Sequence, residues 1–134
     1  MDEMLHLEVL TPEKSKLDQH VDSVYLQGSE GRLGILPQHT ALIAKLDFGE
    51  LEFEKGGKRT KLLCGDGVVE VQDDHVRVLV RSAELRGDID VERAKRSLER
   101  AKSRRDSNDK EIDVGRAEYS ALRALNRLRF LEEL

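Results

Sequence analysis

Leu5, Leu7 and Val9 alternate with His6 and Glu8, the two-residue period of a strand that buries one face. Val21, Ser23 and Tyr25 alternate with Asp22, Val24 and Leu26, which predicts a strand packed on both sides. Leu51 and Phe53 stand between Glu50, Glu52 and Glu54, and Gly56-Gly57 then supplies a hairpin turn into a strand over 59–63. Val69 and Val71 lead through Asp73-Asp74 into Val76, Val78 and Val80, a second hairpin. Many short strands at close spacing, without intervening helices, predict an antiparallel sandwich or barrel, and the sandwich is preferred.

At Gly87 the period changes. Asp88 or Asp90 is placed to cap a helix by accepting free backbone N–H groups. Val91, Ala94, Leu98 and Ala101 then recur three and four apart, with Arg93, Arg96 and Arg100 on the opposite side. Residues 106–111 are polar throughout and read as a turn. A second helix follows, with Val114, Ala117, Ala121, Leu125 and Leu128 as its apolar face and Arg116, Arg123 and Arg127 along another. The predicted layout is a β domain over 1–87 and an antiparallel helical hairpin over 88–134. The hairpin's stripes are rich in alanine, and at about 25 cal/mol per Å² small side chains gain little from burial. Two readings follow: a hairpin docked permanently, or a weakly held element with two arrangements.

Hydrophobic residues make up 38% and charged residues 37%, a soluble profile with a modest core, and no apolar run approaches a membrane span. The acidic start MDEMLHLEVL does not read as a signal sequence. Cys64 is the single cysteine, which excludes an internal disulfide and fits a reducing compartment. The net charge of −4 is unevenly spread: residues 1–87 carry 11 basic and 16 acidic side chains, residues 88–134 carry 12 and 11. Arg93, Lys95, Arg96, Arg100, Lys102, Arg104 and Arg105 face only Glu99 within 93–105, a candidate docking surface for an anionic partner. Nucleic acid is a remote candidate for that partner, because the chain is acidic overall and aromatics are only 4%.

No catalytic constellation stands out. His6, His20, His39 and His75 are scattered and form no spaced metal set with Cys64. His6 and His75 fall in strand patterns as solvent-facing residues, and His20 reads as a loop residue. The glycine-rich stretch from Gly28 to Gly34 lacks the G-K-[ST] ending and following helix of a phosphate loop, so a tight turn is the simpler reading.

The segment Gly28-Ser-Glu-Gly-Arg-Leu-Gly-Ile-Leu-Pro-Gln-His39 followed by Thr-Ala-Leu42 resembles a signature of the F-type ATP synthase epsilon subunit of the bacterial type. So do Cys64-Gly-Asp-Gly-Val-Val-Glu-Val71 before the Val-rich 76–80 and Asp88-Ile-Asp-Val-Glu-Arg-Ala94 at the hairpin's start. The resemblance covers nearly the whole chain, in order. It departs where family members often carry proline, at Ala41, and a bulkier residue, near Val68; these bear on turn rigidity and core packing.

The resemblance implies a sandwich of about ten antiparallel strands followed by the helical hairpin. The implied role is a non-catalytic rotor subunit, peripheral on the cytoplasmic face of the bacterial inner membrane, touching the gamma subunit and the c-ring. Glu30 and His39 match the family's c-ring contact region. The hairpin is implied to extend and block ATP hydrolysis, with Arg93, Lys95, Arg96, Arg100, Lys102, Arg104 and Arg105 meeting the alpha/beta catalytic ring. Ile89, Asp90, Arg93 and Ala94 match an ATP-binding motif of some epsilon subunits, with Arg100, Arg123 and Arg127 as further arginines and Glu84 as a neighbour. No required cofactor is implied; ATP, with or without Mg²⁺, is the implied regulatory ligand and would favour the folded hairpin.

Overall fold

The computed structural model describes residues 4–105 and 114–132, with side chains over 4–103 and 120–131. The chain divides into two compact units, Met1–Leu85 and Arg86–Leu134. Ten strands build the first: β1 (Leu5–Leu10), β2 (Ser15–Val21), β3 (Ser23–Gly28), β4 (Gly31–Ile35), β5 (Leu42–Leu46), β6 (Gly49–Lys55), β7 (Lys58–Cys64), β8 (Gly67–Gln72), β9 (His75–Val80) and β10 (Ala83–Glu84). A 3₁₀ turn at Arg86–Asp88 opens the second unit, followed by α1 (Val91–Arg105) and α2 (Val114–Glu132), which pack on each other.

The strands form one sheet in the order β10-β7-β6-β3-β5-β8-β9-β1-β2, with β4 pairing β3 beside this path. Inward residues of nearly every strand meet in a single core that includes Leu5, Leu7, Val9, Val24, Leu51, Phe53, Leu62, Val69, Val76 and Val78. The alternation read for β1 is correct: Leu5, Leu7 and Val9 are fully buried and His6, Glu8 and Leu10 are half-buried on the other face.

Both predicted hairpins form. Gly56 and Gly57 adopt φ of 57° and 79° between β6 and β7, the left-handed pair that a two-residue turn matched to strand twist requires. Asp73 and Asp74 do the same between β8 and β9, at φ 50° and 62°. Two aspartates tolerate that region better than other non-glycine residues, and the Asp74 carboxylate accepts a hydrogen bond from the Gln38 N–H at 2.6 Å.

Two features differ from the sequence reading. The expected strand across Val21–Leu26 is broken at Asp22, which separates β2 from β3. Asp22 turns its backbone N–H to Glu54 O (2.7 Å) and accepts the Gly56 N–H on its carboxylate (2.9 Å), so it pins the β6–β7 turn. And the sheet is not wholly antiparallel: β1 pairs β9 in parallel, with His6 opposite His75 and Val9 opposite Val78. Antiparallel neighbours dominate because hairpins are cheap to close, whereas β1 comes from the far end of the chain and inserts in the direction that its link to β2 allows.

Gly67 opens β8 where three strands crowd together, opposite Val80 and Leu46. A β-carbon there would lie 2.0 Å from the Leu79 carbonyl oxygen, a backbone atom that cannot swing aside. Gly67→Ala is therefore expected to destabilise the β unit by roughly 2–4 kcal/mol, read as a lower urea midpoint for loss of β-sheet circular dichroism.

Candidate functional site

Helix α1 starts where Asp90 can cap it. Its Oδ1 accepts the Arg93 N–H at 3.0 Å, and its carbonyl accepts the Ala94 N–H at 3.0 Å, the first turn of the helix. Of the two candidates read from the sequence, Asp90 is thus the cap; Asp88 ends the preceding 3₁₀ turn. Ile89 and Ala94 are both buried, so their side chains hold the hairpin's start in place rather than reach toward solvent. Glu92 adds a negative charge to the first turn, where the helix dipole favours it.

The buried stripe of α1 is Ala94 and Ala101, with Leu98 half-buried between them, while Val91 is 39% exposed. On α2, Ala124 and Phe130 are buried almost completely, and Ala121, Leu125 and Leu128 are half-buried. Val114 and Ala117, also expected on that face, lie outside the described side chains. The expected stripe thus ran along the flank of the most buried line. Phe130, missed by the sequence reading, is among the largest fully buried side chains of the molecule.

The basic residues of α1 face outward. Arg93, Lys95, Arg96, Arg100 and Lys102 are all exposed. Arg96, Arg100 and Lys102, with Glu99 and Ser103, line a shallow concavity of about 630 Å³. Arg93 is not part of that lining, and Arg104 and Arg105 end the helix outside the described side chains. Arg123 and Arg127 are half-buried on α2, and the Arg123 guanidinium donates to Ser120 Oγ at 3.5 Å. Glu84 lies in the first unit, on the two-residue strand β10 opposite Leu63. The turn expected over 106–111 lies outside the described residues.

At the other candidate surface, Ser29 and Glu30 form the turn between β3 and β4; the rest of the glycine-rich stretch is strand. Glu30 is exposed and lines, with Arg32, Leu33, Leu42, Ile43 and Lys45, a groove of about 640 Å³ between the β3–β4 hairpin and β5. His39 does not line this groove. It lies half-buried in the β4–β5 loop, where its Nδ1–H donates to the Thr40 carbonyl at 2.7 Å.

Comparison with known proteins follows the same division. The sequence profile of the ATP synthase delta/epsilon chain beta-sandwich domain matches residues 4–86, and that of its long alpha-helix domain matches residues 88–132. This chain belongs to the ATP synthase delta/epsilon family. The ATP synthase epsilon chain of Desulforamulus reducens is 41% identical over 126 residues, covering 94% of this chain and 96% of its own length. That of Halalkalibacterium halodurans is 43% identical over 125 residues, covering 92% and 94%. Among solved structures, a chain of the Euglena gracilis mitochondrial ATP synthase shares the fold at a TM-score of 0.70 and 23% identity, over 96% of this chain and 78% of that one.

Two features of this delta/epsilon chain were not read from its sequence. His20, His6 and His75 stand directly opposite one another on β2, β1 and β9, so three histidines taken as separate form one cross-strand row. Nothing local signals it, because the pairing of β1 with β9 decides it. Cys64 is buried at the end of β7, and burial, reinforced by the negative charge of Glu84, pushes its thiol up to about 12 from an ordinary 9.0.

Because the folded chain raises that value, the stabilisation is complete below pH 9, where both states keep the proton, and is lost as pH rises toward 12. Stability should therefore fall across that alkaline window in the native chain and less so in Cys64→Ala. At pH 8 the native thiol should react with a disulfide reagent at least about a hundredfold more slowly than in the urea-unfolded chain. Separately, Asp90→Ala should cost about 1 kcal/mol of hairpin stability, measured as loss of helical ellipticity in urea, while Asp90→Ser should nearly preserve it.

Proposed function

We propose that this chain is the epsilon subunit of a bacterial-type F-type ATP synthase. In this reading it is a non-catalytic piece of the rotor that couples the gamma subunit to the c-ring. The observation that carries it is the match to proteins named ATP synthase epsilon chain at 41–43% identity over nearly the full length of both partners. Membrane association then comes through the complex, on the cytoplasmic face of the inner membrane; no helix among the described residues is long and apolar enough to cross a bilayer. Glu30, exposed on the β3–β4 turn, and His39 on the β4–β5 loop are the residues offered to the c-ring.

The second unit supplies regulation. The described faces of its helices bury Ala94, Ala101 and Ala124 with Phe130 as the one large fully buried side chain, so separating them exposes a modest apolar surface. In the extended state, Arg93, Lys95, Arg96, Arg100 and Lys102, followed by Arg104 and Arg105, meet acidic groups of the alpha/beta ring through charge-assisted hydrogen bonds and restrain ATP hydrolysis. ATP binds the folded hairpin and withdraws it from that state. Since Asp90 caps α1 and Ile89 and Ala94 are buried, the triphosphate falls to Arg93, Arg100, Arg123 and Arg127. A ligand at about 100 times its dissociation constant adds about 2.7 kcal/mol to the state it binds, enough to reverse a nearly balanced equilibrium.

Calorimetry on the isolated chain, with ATP alone, MgATP and ADP, tests the switch. One ATP per chain is expected, weakened roughly tenfold or more in Arg93→Ala and Arg127→Ala. No heat at millimolar ATP removes nucleotide from the scheme. In the assembled complex, deleting residues 88–134 should raise ATP hydrolysis severalfold; unchanged hydrolysis would make the hairpin a static part of a coupling subunit.

A further inference from the structure

The histidine row lies on the outer face of the sheet and uses none of the residues assigned above to nucleotide, rotor or catalytic ring. Along β1 the inward residues are Leu5, Leu7 and Val9, which turns His6 and Glu8 outward. The cross-strand register then fixes their neighbours. His6 faces His20 on β2 and His75 on β9; one step along, Glu8 faces Asp18 and Arg77. The imidazoles are stacked, His6 on His20 at 4.9 Å and on His75 at 4.5 Å between ring centres, with interplanar angles of 10° and 6°.

Carboxylates hold both ends of the His6–His75 pair. His6 Nε2 bonds Asp18 Oδ1 at 2.6 Å, and His75 Nε2 bonds the Glu8 carboxylate. One donor atom each from His6, Glu8 and His75 lies within 4.8 Å of the others. Bonds of about 2.0–2.2 Å to a tetrahedral zinc set ligand atoms roughly 3.3–3.5 Å apart, so the widest separation closes by little more than an ångström, the His75–Glu8 contact opens to admit the ion, and a ring turns out of the stack so that both imidazole planes meet at it. The side chains are 34%, 21% and 36% exposed, which leaves room for that rotation and a path for an ion. The backbone under them is paired sheet, so the ligands are presented on a rigid support.

The geometry points to a binding site for one divalent transition-metal ion of the zinc class, ligated by His6, Glu8 and His75. Two imidazoles and one carboxylate form a borderline donor set that selects Zn²⁺, Cu²⁺, Ni²⁺ or Co²⁺ over Mg²⁺ and Ca²⁺, which prefer oxygen alone. With Asp18 holding His6 Nε2, the ion takes His6 Nδ1, and the carboxylate orients the ring as it does behind other ligating histidines. His20 flanks His6 in the stack. Arg77, opposite Glu8 on β9 and next to Glu70 on β8, is the nearby positive charge that the ion must tolerate. Cys64 does not compete, being buried with its thiol neutral at ordinary pH. The ion takes the place of the proton between His75 and Glu8 and bridges β1 to β9, so it also clamps the parallel seam of the sheet.

The test is a titration of the untagged full-length chain with Zn²⁺ by calorimetry and with Co²⁺ by visible absorption. One ion per chain is expected, with Cu²⁺ tighter than Co²⁺ and no heat from Mg²⁺. Affinity should drop at least about tenfold in His75→Asn and in Glu8→Gln. In the wild-type chain, Co²⁺ should shift the ring proton resonances of His6 and His75 most strongly, those of His20 next and those of His39 least, a readout that needs no variant to fold. Zn²⁺ should also raise the thermal midpoint of the β unit. The proposal is overturned if neither metal binds, if binding persists in the His6→Asn/His75→Asn double variant, or if His39 responds more strongly than His6 and His75.

Discussion

β1 must find a partner from the far end of the β unit: Glu8 and His75, neighbours in the sheet, are 67 residues apart in sequence. Pairs such as β6–β7 and β8–β9 form through a short turn, and β3–β6 and β5–β8 span shorter stretches of chain than β1–β9 does. Only when β1 lies between β9 and β2 do Leu5, Leu7 and Val9 enter the core, and only then is β2 attached to anything but β1. Such non-local pairing demands loop-closure entropy before it returns any burial, so this seam forms late and slowly compared with the hairpins. The outer histidine row exists because of the same seam. Core and surface chemistry on this side of the molecule therefore share one cause.

The two units are stabilised in different ways. In the first, branched aliphatic side chains from many strands interlock around Phe53 and Leu62, and large buried areas resist opening. In the second, Ala94, Ala101 and Ala124 are buried, and among the described side chains the large buried apolar ones are Phe130 and Ile89, with Leu98, Leu125 and Leu128 half-buried. Alanine keeps the helix backbones close and preserves helical propensity, but contributes little apolar area.

How much of this was legible depended on whether a signal was local. The β1 alternation, the glycine pair at 56–57, the aspartate pair at 73–74 and the Asp90 cap are short-range patterns with a direct physical cause, and each reads correctly from a few residues. β4 and β5 were not read as strands, since much of each is exposed and Ile43 points outward at 76% exposure, which destroys the alternation that would mark them. Asp22 sat inside an apparently continuous alternation, and only its tertiary bonds to Glu54 and Gly56 reveal it as a break. The parallel placement of β1, and with it the company His6 keeps, is invisible to any window of sequence. On α2 the narrow stripe was offset because Ala124 and Phe130 differ so much in size that a period count gives them no common weight.

The ends of the sheet carry a consequence of their own. A free strand edge is a template onto which another copy can hydrogen-bond, and repeated addition builds insoluble fibres. Here one end of the strand order is β10, only two residues long. The other is β2, whose Lys16, Asp18 and His20 break up any flat apolar rim. Neither end of this strand order therefore offers a second copy a long, flat apolar edge to add to.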